Sequence, residues 1–148
     1  MITLRNSIRY PYPLKKRQYI YEQVCISYEN LKRKNYHYFA SRLPKRERWR
    51  AYEEFKDMAA FIDIETTGLN VYKDKIIIIG LYDGNTYKAY IRNFNLNDFA
   101  QDIKKYALLI TYNGARFDLP FIKLKFPHIE LSQKIHIDLI YPLVSLEV

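Results

Sequence analysis

Two acidic side chains, two positions apart, are the sharpest chemical feature of this 148-residue sequence. They are Asp63 and Glu65, in the run Phe61-Ile62-Asp63-Ile64-Glu65. Successive side chains of a strand point to opposite faces, so both carboxylates project from the same face. Like charges on an apolar strand repel and lose hydration, and a bound cation relieves both costs. The pattern predicts ligands for Mg²⁺ or Mn²⁺, with solvated acids at a strand edge as the alternative.

A turn of small polar residues follows the two acids. Thr66, Thr67 and Gly68 end the apolar run. The amides and hydroxyls of such a turn can approach a phosphate or a terminal sugar. We therefore expect this turn to contact the ligand of the acidic site.

A third acid, Asp118, follows the dipeptide Asn113-Gly114. An Asn-Gly pair is typical of a two-residue hairpin. Pro120 argues against a hairpin here, because proline cannot sit inside a paired central strand. The better prediction is a strand, an Asn-Gly turn and then a helix. Asp118 would then lie in the first helical turn, beside the end of the preceding strand, where it could complete a metal site with the first two acids.

The elements that must position these residues follow from the hydrophobic periodicity. Residues 1–17 read as irregular, and residues 18–35 as one or two short elements. The turn signal Asp83-Gly84-Asn85 predicts a hairpin between two of the strands. The predicted strands are 58–64, 75–83, 86–92, 107–112 and 135–139, and the predicted helices are 45–57, 96–106 and 116–126. A three-strand meander followed by alternating helix and strand predicts an α/β fold with a mixed central sheet.

The positive charge is confined to one part of the chain. The net charge is +8, and residues 1–57 carry all of it, with 14 Lys and Arg against 6 Asp and Glu. That segment also holds 8 of the 15 tyrosines. We divide the chain into a basic, Tyr-rich, partly helical segment, residues 1–57, and a domain, residues 58–148. The basic segment suits phosphate contact and base stacking, with a solvated basic face as the alternative.

Other features of the composition indicate the cellular setting. Cys25 is the single cysteine, which excludes an intramolecular disulfide and fits a reducing compartment. The apolar runs are too short for a transmembrane helix, and the N-terminus lacks the apolar stretch of a signal peptide. A cytoplasmic protein with no membrane partner is therefore expected.

The two acidic motifs together resemble the first two motifs of the DEDD (DnaQ-like) 3′–5′ exonuclease superfamily. Asp-Ile-Glu-Thr-Thr-Gly begins at residue 63, and Asn-Gly-x-x-Phe-Asp ends at residue 118. Within that superfamily the chain is most similar to YprB-type ribonuclease H-like proteins, over roughly residues 37–143. The stretches that carry this likeness are His37-Tyr38-Phe39, Leu43-Pro44, Trp49-Arg50, residues 110–121 and His136-Ile137-Asp138-Leu139.

The resemblance implies a ribonuclease H-like fold and a metal-dependent 3′–5′ exonuclease that acts on the 3′ ends of DNA or RNA. By this resemblance the catalytic metal ligands are Asp63, Glu65 and Asp118. The residues implied to hold the terminal nucleotide are Thr66, Thr67, Gly68, Asn113, Gly114 and Phe117. Two Mg²⁺ or Mn²⁺ ions would carry out the hydrolysis, one generating hydroxide and the other stabilising the leaving 3′-oxygen.

One part of the family pattern is absent. The third motif, Tyr-x-x-x-Asp or His-x-x-x-Asp, supplies a fourth ligand and the residue that orients water, and no Tyr or His here has an acid four positions later. Asp138 could substitute as a ligand, or it could simply end an edge strand; His128 and His136 read as structural or surface residues. We expect a chain truncated at its C-terminus, a fragment of a longer nuclease. The alternative is a short non-catalytic nucleic-acid-binding remnant of such a nuclease.

Overall fold

The structure is a computed structural model that describes residues 12–144. By spatial contacts the chain forms two compact units, residues 1–33 and residues 34–148. This contact-based division falls after Arg33, and the predicted boundary between basic segment and domain, after residue 57, stays a prediction. Residues 34–58 belong to the second unit, because their helical turns pack onto its sheet.

The described part of the first unit is a single helix, α1 (Leu14–Lys32). It begins directly after Pro13, whose carbonyl accepts the Arg17 amide at 3.1 Å. The prediction that residues 1–17 are irregular is thus wrong for residues 14–17, because a proline directly before a helix does not prevent that helix from starting. Residues 1–11 of this prediction lie outside the described residues. None of the helices in residues 12–144 is both long and apolar enough to span a membrane.

The second unit is built on a five-stranded sheet with the order β3-β2-β1-β4-β5. The strands are β1 (Ala59–Thr66), β2 (Ile76–Tyr82), β3 (Tyr87–Ile91), β4 (Leu108–Thr111) and β5 (Ile135–Asp138). β1, β2 and β3 form an antiparallel meander, and β4 and β5 run parallel to β1. The predicted α/β fold with a mixed sheet is confirmed, including the hairpin at Asp83.

Short helices surround this sheet. They are α2 (Tyr36–Arg42), α3 (Tyr52–Phe55), α4 (Phe99–Asp102), α5 (Asp118–Lys125) and α6 (Ile140–Val144). The sequence did not predict α2, and two of the three predicted helices, residues 45–57 and 96–106, are divided. Residues 45–58 form 3₁₀ turns on either side of α3, and residues 96–105 form 3₁₀ turns on either side of α4. Segments this short owe their conformation to packing rather than to helix propensity, so periodicity marks their extent but not their type.

One face of the sheet carries the hydrophobic core. Ile62 and Ile64 of β1 point into it, together with buried side chains from the helices, among them Phe99, Ile103 and Ile122. From Phe61 onward the burial of β1 alternates, which leaves Asp63 and Glu65 exposed on the opposite face. The predicted common face of the two acids is therefore confirmed.

On β5, His136 lies next to the hydroxyl of Thr111, with Thr111 Oγ1 and His136 Nε2 2.9 Å apart. Burial lowers the pKa of His136 to about 4, the nearby charges of Arg48 and Lys45 lower it further, and Asp138 opposes the shift. The prediction that His136 is structural agrees with this position.

Because the folded protein disfavours a charged His136, we expect the folded state to lose stability in acid. The unfolded chain binds a proton at His136 near pH 6.5, whereas the folded chain binds it only near pH 4. The unfolded state therefore holds more protons in this window, so stability present above pH 6.5 is lost as the pH falls. Between pH 7 and pH 5 we expect the native protein to lose about 1–2 kcal/mol more of its free energy of unfolding than His136→Gln does, measured by urea unfolding. The raised pKa of Asp118 acts in the opposite direction but is common to both proteins, so the difference isolates His136. Equal changes in the two proteins would contradict the assignment.

Candidate active site

The site is organised by the point at which two parallel strands separate. Parallel pairing between β1 and β4 extends from Ala59 to Phe61 and does not continue beyond Phe61. Three residues further along β1, the Ile64 amide donates a hydrogen bond to Asp118 Oδ1 at 3.1 Å. The Asp118 side chain thus satisfies a backbone group that no β4 carbonyl reaches. This bond fixes the start of α5 against β1.

Asp118 is buried among other negative charges. Only 3% of its surface is exposed. Burial raises the pKa of Asp118 to about 6, and the charges of Asp63 and Asp138 raise it as well, whereas hydrogen bonds from its own amide and from the Ile64 amide oppose the shift. In the described range 12–144, Asp63, Glu65 and Asp118 have no Lys or Arg ion-pair partner. The carboxylates form a locally uncompensated negative site.

Asp63 and Glu65 open onto a groove of about 500 Å³ along the exposed face of the sheet. Aromatic side chains of neighbouring strands, including Tyr82 and Tyr112, line this groove. Both tyrosines are exposed, at 43% and 65%. The two acids therefore face a solvent-accessible channel with apolar and aromatic walls.

The described residues contain no group of three Asp, Glu, His or Cys side chains already arranged to hold a metal ion. Asp118 comes close enough to Asp63 for their charges to interact, but one of its oxygens is occupied by the Ile64 amide. The donor set nevertheless fits a hard divalent cation, since it consists of carboxylate oxygens without a cationic partner.

The turn after β1 is held by internal hydrogen bonds. Thr66 Oγ1 donates to the Gly68 carbonyl at 2.6 Å, and Thr67 Oγ1 donates to Asp74 Oδ1 at 3.2 Å. A Cβ atom at Gly68 would lie 2.6 Å from the Asp74 carboxylate, so glycine is required for this close approach. Donation from either hydroxyl to a nucleotide would require exchange of these bonds.

The turn between β4 and α5 has the predicted strand–turn–helix form. Asn113 adopts a left-handed backbone conformation with φ +57°. At Gly114, an added Cβ would lie 2.2 Å from Thr111 Oγ1, which leaves no space for a side chain. The Leu119 amide donates to the Gly114 carbonyl at 2.9 Å, and α5 begins at Asp118.

Asp138 holds the same turn from the end of β5. Its Oδ1 accepts the Asn113 amide at 2.7 Å, and its Oδ2 accepts the Ala115 amide at 3.0 Å. Asp138 pairs with Thr111 in the parallel register of β4 and β5, which brings the carboxylate to the turn. Of the two sequence interpretations, the structure favours the acid that ends a strand over the substitute ligand. An Asn-Gly turn signals amides that need an acceptor, but it does not indicate which residue of the chain supplies that acceptor.

Phe117, predicted to contact the nucleotide, is half-buried. Its ring centroid lies 5.1 Å from that of Phe121, and the side chain packs against the core. The structure therefore brings together Asp63, Asp118 and the Asn113–Gly114 turn, with Phe117 as packing behind them.

A protein-family model matches the larger part of the chain. Residues 60–148 match a model of the RNase_H superfamily. Among solved structures, Brucella melitensis NrnC is 25% identical over 49% of this chain and 37% of its own, with a TM-score of 0.35. NrnC structures with bound pGG and with bound Mg²⁺ match equally well. The family B DNA polymerase of Pyrobaculum calidifontis is 14% identical over 59% of this chain and 16% of its own, with a TM-score of 0.43.

The chain thus spans little more than a third of NrnC and a sixth of the polymerase. Both TM-scores lie below 0.5, so these matches do not bear on its activity. No curated protein sequence matches the chain.

Because Gly114 lies so close to Thr111, we expect alanine at this position to destabilise the protein. Gly114→Ala would drive a methyl group into Thr111, and we expect the free energy of unfolding to fall by about 1–3 kcal/mol. Gly80→Ala is the matched control, because its new methyl group meets only the movable Tyr87 hydroxyl at 3.0 Å. Urea unfolding of both variants measures the difference. An equal or smaller loss in Gly114→Ala would show that the turn is not constrained by this contact.

The hydrogen bonds of Asp138 make a second prediction. Asp138→Asn replaces one of two acceptor oxygens with a donor group and leaves at least one of the three amides that Asp138 accepts without a partner, which should destabilise the protein by about 1–3 kcal/mol. Glu130→Gln, a neutralisation at an exposed position, should change stability by less than about 0.5 kcal/mol. Thermal unfolding compares the two. Similar stability of both variants would remove the positioning role from Asp138.

Proposed function

Because this chain belongs to the RNase_H superfamily, we propose that it is a metal-dependent 3′–5′ exonuclease that hydrolyses phosphodiester bonds of DNA or RNA. The observation that supports this proposal most strongly is the buried Asp118 carboxyl at the separation of β1 and β4. The charges of Asp118 and Asp63 repel each other, and no basic side chain of the described residues forms an ion pair with either acid. Burial beside a second carboxyl disfavours the ionised form of Asp118, and a bound divalent cation would relieve that cost.

In this proposal Asp63, Glu65 and Asp118 hold the divalent ions, Mg²⁺ or Mn²⁺. Two bound ions would supply the activation of water and the stabilisation of the leaving oxygen. Asp63 and Glu65 present their carboxylates to the groove, and the Ile64 amide orients Asp118 beside them. The role of the protein is to hold three oxygen donors at one edge of a rigid sheet.

The terminal nucleotide is assigned to the two turns that flank the acids. Thr66, Thr67 and Gly68 follow Glu65 directly, and Asn113 and Gly114 precede Asp118. Asp74 and Asp138 hold these turns by hydrogen bonds, so both are pre-organised around the proposed site. Phe117 would contribute by supporting the Asn113 turn from the core.

A non-catalytic nucleic-acid-binding module is the second candidate. The observation that favours it is the basic, Tyr-rich segment at residues 1–57. Within α1 and just before it, Lys16 Nζ lies 4.2 Å from the Tyr12 ring centroid, and Lys32 Nζ lies 4.6 Å from that of Tyr28. The missing Tyr-x-x-x-Asp or His-x-x-x-Asp spacing also fits this alternative.

Metal binding is tested by thermal unfolding with increasing Mn²⁺. The native protein should gain about 2.7 kcal/mol when the ion concentration reaches one hundred times its dissociation constant. Asp63→Ala should abolish this gain, whereas Asp57→Ala, which removes an exposed acid outside the site, should keep it. The absence of any shift in the native protein would contradict the proposed metal site.

Exonuclease activity is tested with 5′-labelled single strands of DNA and RNA in Mn²⁺. We expect slow shortening from the 3′ end, because no Tyr or His in this chain has the spacing that orients the attacking water. The products should disappear in Asp63→Ala and Asp118→Ala. Binding without any shortening would favour the non-catalytic module instead, and rapid shortening that Asp118→Ala abolishes would show that the third motif is dispensable.

A further inference from the structure

A second cavity, of about 630 Å³, adjoins the turn that leads to Asp118. Asn113 lines it, whereas the two preceding residues, Thr111 and Tyr112, line the groove of the acidic site. Its walls come from the 3₁₀ turn at Lys45–Ala51, the Asn113 turn and α6. We name it the arginine cavity after three of its lining residues, Arg46, Arg50 and Arg116.

Two of the three arginines of the arginine cavity carry positive charge that no side chain of residues 12–144 pairs with. Arg46 and Arg116 are exposed, and neither side chain has a hydrogen-bond or ion-pair partner among residues 12–144. The two acids of the cavity are already engaged. Arg50 donates to Glu47 at 2.5 Å, and Asp138 accepts backbone amides with both oxygens. Two guanidinium groups therefore remain for an anion, and guanidinium matches phosphate in geometry.

Aromatic surface accompanies this charge. Trp49 is 45% exposed, and the Arg50 guanidinium lies 4.8 Å from the centre of its ring. Tyr141 of α6 lines the same cavity. An exposed indole beside guanidinium groups suits an unstacked base next to its phosphate. A base paired inside a duplex cannot present its face in this way, so the arrangement selects single strands.

We propose that the arginine cavity is a nucleotide-binding subsite that anchors single-stranded nucleic acid, with phosphate on Arg46 and Arg116 and a base on Trp49. The subsite lies on the Asn113 turn, next to the acids proposed to act on the 3′ end, and this inference rests on the proposed function. A volume of about 630 Å³ falls within the range of small-ligand sites and accommodates one nucleotide. A strand held there would reach the acids along residues 111–113.

The test is binding of fluorescently labelled DNA and RNA single strands to the full chain, followed by anisotropy in EDTA so that no hydrolysis occurs. The Arg46→Ala/Arg116→Ala double variant should weaken binding about tenfold or more and flatten its salt dependence, because two phosphate contacts are lost. Trp49→Ala should weaken binding at least about fivefold. Duplexes of the same sequence should bind less well to the native protein.

The matched control is Lys104→Ala/Lys123→Ala, which removes two positive charges from exposed positions that line neither cavity. It should leave the affinity within about twofold of the native value. Unfolding curves verify that all variants are folded, which is expected because every substituted side chain is exposed.

Three results would overturn the subsite: equal losses in the cavity and control variants, unchanged affinity in the cavity variants, or no binding of single strands by the native protein. The same variants in the Mn²⁺ shortening assay separate this inference from the proposed function. Shortening with unaffected cavity variants would refute the subsite alone. Binding that depends on the cavity, without shortening in the native protein, would refute the exonuclease and retain the subsite as an anchor of a binding module.

Discussion

The separation of β1 from β4 is the constraint on which the rest of the site depends. Parallel pairing ends at Phe61, and a strand that leaves its neighbour exposes backbone amides that must find other acceptors. Asp118 provides one for Ile64 and is buried in doing so. The hydrogen bond offsets part of the cost of burying an acid, and the remaining cost appears as a raised pKa. The Asp118 carboxyl thus holds the start of α5 against β1 and is also a proposed metal ligand.

Three parallel strands bring their carboxyl ends to the same edge of the sheet, and each contributes an acid there. β1 carries Asp63 and Glu65, the turn after β4 leads to Asp118, and β5 ends at Asp138. Their tasks differ with their surroundings. Asp63 and Glu65 face solvent, Asp118 is buried and accepts the Ile64 amide, and Asp138 is buried and accepts the amides of the Asn113 turn. Burial next to the charge of Asp63 distinguishes the proposed ligand Asp118 from Asp138, whose two oxygens hold a turn.

Much of this arrangement could be predicted from the sequence because it depends on short-range rules. The RNase_H relationship and the mixed α/β fold are confirmed. Alternation along β1 predicted the shared face of Asp63 and Glu65, and Pro120 predicted that a helix follows Asn113-Gly114. The type and start of the N-terminal helices could not be predicted, because tertiary packing determines them. The role of Asp138 depends on a register between β4 and β5 that no local pattern reveals. The roles of the site residues in binding metal and nucleotide stay predictions.

The central claim is that Asp63, Glu65 and Asp118 form one metal site at this edge of the sheet. It is tested most directly by anomalous diffraction from crystals of the protein soaked in Mn²⁺. The account predicts an anomalous peak within coordination distance of carboxylate oxygens from all three residues. A peak elsewhere, or no peak, would contradict it.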